Sequence, residues 1–118
     1  YAAARGAGAT RNGVAIRCSA KDDPSSALVG TGFSYLPERR ERQAQRLGRM
    51  MPHIRDIRRF GAAAADLCLV ACGRLDAYFE EHLGPWDLAA GRLIADPSMA
   101  CEYSRDGQQD LDESQLKQ

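Results

Sequence analysis

The sequence predicts an α/β fold, a mixed β-sheet flanked by helices. Three observations carry that prediction. From residue 54 onward, stretches of strand character alternate with helical ones, the order expected of layered α/β chains. The pair Asn12-Gly13 separates two arms of small and apolar residues, as a tight hairpin requires. The Ala-rich run from Gly61 to Cys72 is closed by Gly73, a natural helix C-cap.

Residues 2–10 and 14–19 form the hairpin arms, because both positions of an Asn-Gly turn tolerate positive φ. Gly6 and Gly8 fall inside the first arm and predict a bulge or close packing there. A phosphate-cradling loop would need a helix to follow, and the Asn-Gly turn follows instead. Lys21 to Ser26 is a polar loop, and Ala27 to Phe33 reads as a short buried strand. Pro37 opens a helix at a position where a missing N–H is harmless. Glu38 and Arg42 form an i,i+4 pair on it, while Ala44, Leu47 and Met51 share one apolar face. Pro52 ends the helix.

Ile54 to Phe60 reads as a strand, and the Ala-rich helix follows. Arg74 to Glu80 alternates Leu75, Ala77 and Phe79 with Asp76, Tyr78 and Glu80, the pattern of a half-buried strand. A helix from Pro85 to about Ala95 comes next, and Asp96-Pro97 stops it. Residues 1–95 therefore carry the folded part. Residues 96–118 form a polar tail, rich in Asp, Glu and Gln, that lacks the apolar content to fold alone.

Composition narrows the function classes. The 118 residues are 44% hydrophobic and 27% charged, with a formal charge of zero, which argues against a general polyanion binder. Arg39, Arg40, Arg42, Arg46 and Arg49 crowd the first helix, and clustered Arg can neutralise nucleic-acid phosphates. Glu38, Glu41 and Asp56 are interleaved with the Arg residues of this region and no aromatic residue punctuates the helix, so a solvated helix face is the reading. The longest apolar run, near residues 62–72, is too short to span a bilayer. Cys18, Cys68, Cys72 and Cys101 show no CxxC spacing, which predicts reduced thiols in a cytoplasmic protein and no cysteine metal site. Tyr at position 1 and the lack of a signal-peptide layout lead to the expectation of a piece of a longer chain.

Asp87 is the residue most suggestive of chemistry. It stands in Gly84-Pro85-Trp86-Asp87-Leu88-Ala89-Ala90-Gly91, at the start of a helix of small residues. It can act as an N-cap or first-turn carboxylate that accepts backbone N–H bonds and complements the helix dipole. It can also serve as a fixed anionic oxygen ligand for a hard cation such as Mg2+.

The run from Arg58 to Gly91, with Gly61-Ala62-Ala63, Asp76-Ala77-Tyr78-Phe79-Glu80 and Trp86-Asp87-Leu88-Ala89-Ala90-Gly91 in order, resembles the C-terminal half of the inositol monophosphatase family. The resemblance covers roughly residues 2–95 and implies the layered sugar-phosphatase fold. It implies a Mg2+-dependent hydrolase that acts on inositol 1-phosphate or a related polyol phosphate monoester through a metal-activated water. By the same resemblance Asp87 holds a metal, Glu80 accepts a hydrogen bond from a ring hydroxyl, and Gly61, Ala62 and Ala63 line the sugar pocket. The family often has a hydroxyl residue where Ala62 stands, so contact there would run through the backbone. The resemblance further implies a homodimer, a small-molecule substrate, and no nucleic-acid or membrane partner.

The family's first signature, a Glu followed later by Asp-Pro-Ile-Asp-Gly-Thr, does not occur in these 118 residues. That signature supplies most metal ligands and the water-activating group, so no catalytic residue is assigned here. The expectation is a phosphatase parent and an isolated chain that is inactive or nearly so. The alternative is a non-catalytic remnant or partner-binding module.

Overall fold

Asn12 and Gly13 adopt φ of 51° and 78° and reverse the chain between β2 (Gly8–Arg11) and β3 (Val14–Ala15), as their residue types dictate. The computed structural model describes residues 1–95, so the expected tail at 96–118, with Cys101, lies outside the described residues. The first hairpin arm differs from its expectation. It divides into β1 (Ala2–Ala4) and β2, which pair antiparallel around a turn closed by Ala7 N–H donating to Ala4 O at 3.0 Å. Gly6 and Gly8 have φ of 78° and 76°, and a Cβ at either would meet nothing within 4 Å. Left-handed backbone at a turn explains these two glycines, and close packing does not.

The second sheet is parallel, with β4 (Leu28–Thr31) between β5 (Asp56–Arg58) and β6 (Ala77–Phe79). Val29 is the register partner of both Ile57 and Ala77. The mixture of parallel and antiparallel pairing is thus distributed over two three-stranded sheets. The chain passes from β4 to one neighbour and then crosses to the other. A crevice outside the carboxyl ends of the strands is the usual ligand position in such an arrangement.

Helix α2 (Ala63–Ala71) and helix α3 (Pro85–Ile94) form the layer between the sheets. Leu67 and Val70 of α2 join Leu75 and Tyr78 on the parallel-sheet side. Ala71 and Cys68 pack with Ala9 and Ile94 on the antiparallel side. A helix buried on two sides needs apolar residues around most of its circumference, which accounts for the Ala-, Leu- and Val-rich composition. At the α2–α3 crossing a Cβ on Gly91 would stand 2.6 Å from Leu67 Cδ1, so glycine sets how closely the helices approach.

Two expected burial patterns are corrected. Helix α1 (Pro37–Met50) is followed by a 3-10 turn, Met51–His53, that contains Pro52. Its expected apolar face is not buried, since Ala44 and Met51 are exposed, while Gln43 is 3% exposed and points inward. A hydrogen bond fixes that choice: Gln43 Oε1 accepts Ser34 N–H at 2.8 Å. In β6 the alternation is also different, because Tyr78 is buried while Ala77 and Phe79 are only half-buried. A strand in a parallel sheet is covered on both faces, so simple in–out alternation does not hold.

Cys68 and Cys72 carry free thiols as expected. No helix among the described residues is long and apolar enough to cross a membrane.

Candidate active site

The carboxyl ends of β4, β5 and β6 open on one cavity of about 200 Å³. Gly61, Ala62, Ala63, Glu80 and Asp87 all line it, so the five residues singled out from the sequence converge although three separate elements supply them. Gly32, Phe33 and Tyr35 after β4 also line it, together with Arg59 and Leu83. Those five were missed in the sequence.

Glu80 directly follows β6, and its position is tightly defined. The Tyr78 hydroxyl donates to Glu80 Oε2. A Cβ on Gly32 would fall on the Glu80 carboxylate, and a Cβ on Gly30 would stand 2.8 Å from Leu75 Cδ1 and 3.0 Å from the Tyr78 ring. Gly30 is the register partner of Tyr78, and the same pairing continued leads Gly32 to Glu80. Gly30 in β4 and Gly32 just beyond it therefore make a floor for Tyr78 in β6 and Glu80 just beyond that strand. The signal was present as Gly-Thr-Gly inside a strand, a mark of close approach.

Asp87 is the third residue of α3. Its Oδ2 accepts the Gly84 N–H at 3.0 Å, and Asp87 N–H donates to Gly84 O at 3.0 Å. The first-turn role weighed from the sequence is realised. A carboxylate has a second oxygen, so this cap leaves acceptor capacity directed elsewhere. Mg2+ demands several oxygen donors in octahedral geometry. Among the described residues no three His, Cys, Asp or Glu side chains are grouped to hold an ion. Asp87 thus fits one coordination position of such a cation, and these residues alone do not fit a complete Mg2+ site.

Behind the cavity stands Asp66 of α2, 1% exposed, with no hydrogen-bond partner for Oδ1. Burial pushes its pKa up to about 6, the Glu80 charge adds to the rise, and the Arg59 guanidinium opposes it. Asp66 falls within the Ala-rich helix and carries no local sequence signal of its own. Arg59 folds across Gly61, where a Cβ would lie 2.9 Å from its Nη1. Helix α2 has Ala62 at its N-cap and no side-chain cap, so its first N–H groups are left for other acceptors at the cavity. His82, in the loop before α3, has φ of 63° and places Nε2 3.8 Å from Glu81 Oε2, outside the cavity lining.

Residues 1–97 match the model of the inositol monophosphatase family. The chain belongs to the inositol monophosphatase family. It is similar to the inositol-1-monophosphatase of Mycobacterium leprae, with 57% identity over 86 residues, 73% of this chain and 30% of that protein. It is also similar to the Nus factor SuhB of Xylella fastidiosa, with 44% identity over 97 residues, 80% of this chain and 34% of that protein. Among solved structures it resembles Mycobacterium tuberculosis SuhB, with a TM-score of 0.71 and 50% identity across 78% of this chain and 39% of that one. The chain thus spans about a third of the length of the curated relatives it matches. The α/β fold and the inositol monophosphatase resemblance read from the sequence both hold.

Proposed function

We propose that this chain is part of a Mg2+-dependent phosphatase that hydrolyses inositol 1-phosphate or a related polyol phosphate monoester by attack of water. The observation that supports this reading is the single cavity at three strand ends that gathers Gly61, Ala62, Ala63, Glu80 and Asp87. Glu80, when ionised, is an acceptor-only group suited to a ring hydroxyl. Gly61, Ala62 and Ala63 keep side-chain bulk away from the start of α2, so backbone groups can reach a ligand. Asp87 contributes one anionic oxygen toward the metal while its other oxygen holds the helix start. Mg2+, when bound, would neutralise phosphate charge and activate water. The remaining ligands belong to the signature absent from these 118 residues, so the isolated chain is inactive or nearly so. The same reading makes the whole protein a cytoplasmic homodimer without a nucleic-acid or membrane partner.

A second reading, a non-catalytic partner-binding module, draws on the relatives named as Nus factors. Release of inorganic phosphate from inositol 1-phosphate separates the two. It is measured with and without Mg2+, on this chain and on a form extended by the missing family signature. Turnover by the extended form alone supports the phosphatase reading. Absence of turnover in both favours the binding module, and Mg2+-dependent turnover by this chain alone contradicts the division of labour proposed for it.

A further inference from the structure

The Glu80 carboxylate is held from two directions, by a donor on its own strand and by a glycine floor on the neighbouring one. Tyr78 is 4% exposed, so its ring is part of the core that α2 and β6 share. Its hydroxyl leaves that core and donates to Glu80 Oε2 at the cavity edge. The missing side chain of Gly30 leaves room for the Tyr78 ring, and that of Gly32 leaves room for the Glu80 carboxylate. A flexible glutamate at a strand end would otherwise sample several rotamers and lose entropy on binding. A hydrogen bond to one carboxylate oxygen restricts the orientations that Glu80 adopts at the cavity edge.

Resting on the reading of Glu80 as the polyol acceptor, we propose that Tyr78 is a positioning residue that sets polyol recognition through Glu80, on a floor that Gly30 and Gly32 keep clear. Tyr78 does not touch the substrate. It acts by fixing which Glu80 oxygen faces a ring hydroxyl, so its effect exists only while Glu80 is present.

That dependence gives the test. The KM for inositol 1-phosphate in the presence of Mg2+ is measured on the form extended by the family signature, for the unaltered protein, Glu80→Gln, Tyr78→Phe and the double variant. The expected result is a rise of about tenfold in KM for each single variant, in line with a hydrogen bond to a charged group. The double variant is expected to have a KM no higher than that of Glu80→Gln. Rises that multiply in the double variant, or an unchanged KM in Tyr78→Phe beside a raised one in Glu80→Gln, overturn the positioning role alone. An unchanged KM in Glu80→Gln, or no turnover by the unaltered extended form, overturns the polyol reading of the cavity and this inference with it. Should Tyr78→Phe fail to fold, Gly32→Ala replaces it, since the added Cβ falls on the Glu80 carboxylate. It too should raise KM only while Glu80 is present.

Discussion

Arg46 Nη1 stands 2.6 Å from Glu81 Oε1, so helix α1 grips the residue next to Glu80. Three residues earlier on that helix, Gln43 binds Ser34, which lies between the cavity residues Phe33 and Tyr35. One face of α1 therefore ties both cavity walls. The Arg46 and Glu81 side chains are 42% and 22% exposed, which limits the ion pair to about 0.5–1 kcal/mol. Gln43 is buried, and removing its amide leaves Ser34 N–H without that acceptor, a loss of about 1–3 kcal/mol. Urea unfolding should accordingly rank Gln43→Ala below Arg46→Ala in stability, with only the latter difference shrinking in added salt. The reverse ranking would mean the walls are held by charge.

Two helical glycines should respond to alanine with opposite signs. At Gly91 the new Cβ would lie 2.6 Å from Leu67 Cδ1 and 2.9 Å from Leu67 Cβ, both within the packed α2–α3 crossing. Overpacking of this kind destabilises by about 1–3 kcal/mol. At Gly48 in α1 the new Cβ meets nothing within 4 Å, so helix propensity alone acts and stabilises by about 0.5–1 kcal/mol. Thermal or urea unfolding of both variants checks the pair. A stabilised Gly91→Ala would show that the helices do not pack as closely as described.

Asp66 should make stability depend on pH. Its folded pKa of about 6 lies above the ordinary value of 3.8, so the folded chain binds more protons than the unfolded one between those limits. Its contribution is most favourable below about 3.8 and is lost as pH rises through about 6. Asp66→Asn keeps the shape and removes the charge. It should exceed the unaltered chain by about 1–3 kcal/mol near neutral pH and converge with it toward the acid limit. Urea curves at several pH values, read as the difference between the two proteins, isolate this group from other carboxylates. A difference that does not change with pH would mean Asp66 is not held in the environment described.

The elements of residues 54–95 were legible because each carries a local signal: the Gly73 cap, Pro85 at a helix start, and alternating side chains in between. Asp87, Glu80 and Gly61 to Ala63 came from the resemblance to the inositol monophosphatase family, and the fold brings them to one cavity. What escaped depends on contacts between elements. Gln43 reads as helix surface until Ser34 is placed beside it, and Asp66 reads as ordinary until α2 is buried on two sides. Gly30 and Gly32 acquire meaning only in register with Tyr78 and Glu80. Helix periodicity chose Ala44 and Met51 for α1, but a single buried amide bond chose Gln43.

Asp87 has one role at the helix start and a proposed one toward the metal, and one substitution can separate them. Asn at this position keeps an oxygen that can accept the Gly84 N–H, so the turn into α3 survives. What disappears is the negative charge, whose interaction with the helix dipole is worth about 0.3–1 kcal/mol. Asp87→Asn in this chain should therefore lower stability by no more than that amount. In the form extended by the missing signature, a neutral amide is a poor Mg2+ ligand compared with a carboxylate. Phosphate release from inositol 1-phosphate should there fall by at least about a hundredfold, and added Mg2+ should recover part of it if the defect lies in metal affinity. Asp87→Ala removes both the charge and the Gly84 acceptor, and should add about 1 kcal/mol of instability to the same loss of turnover. Full activity in Asp87→Asn together with lost activity in Asp87→Ala would show that the residue serves the helix start and not the metal.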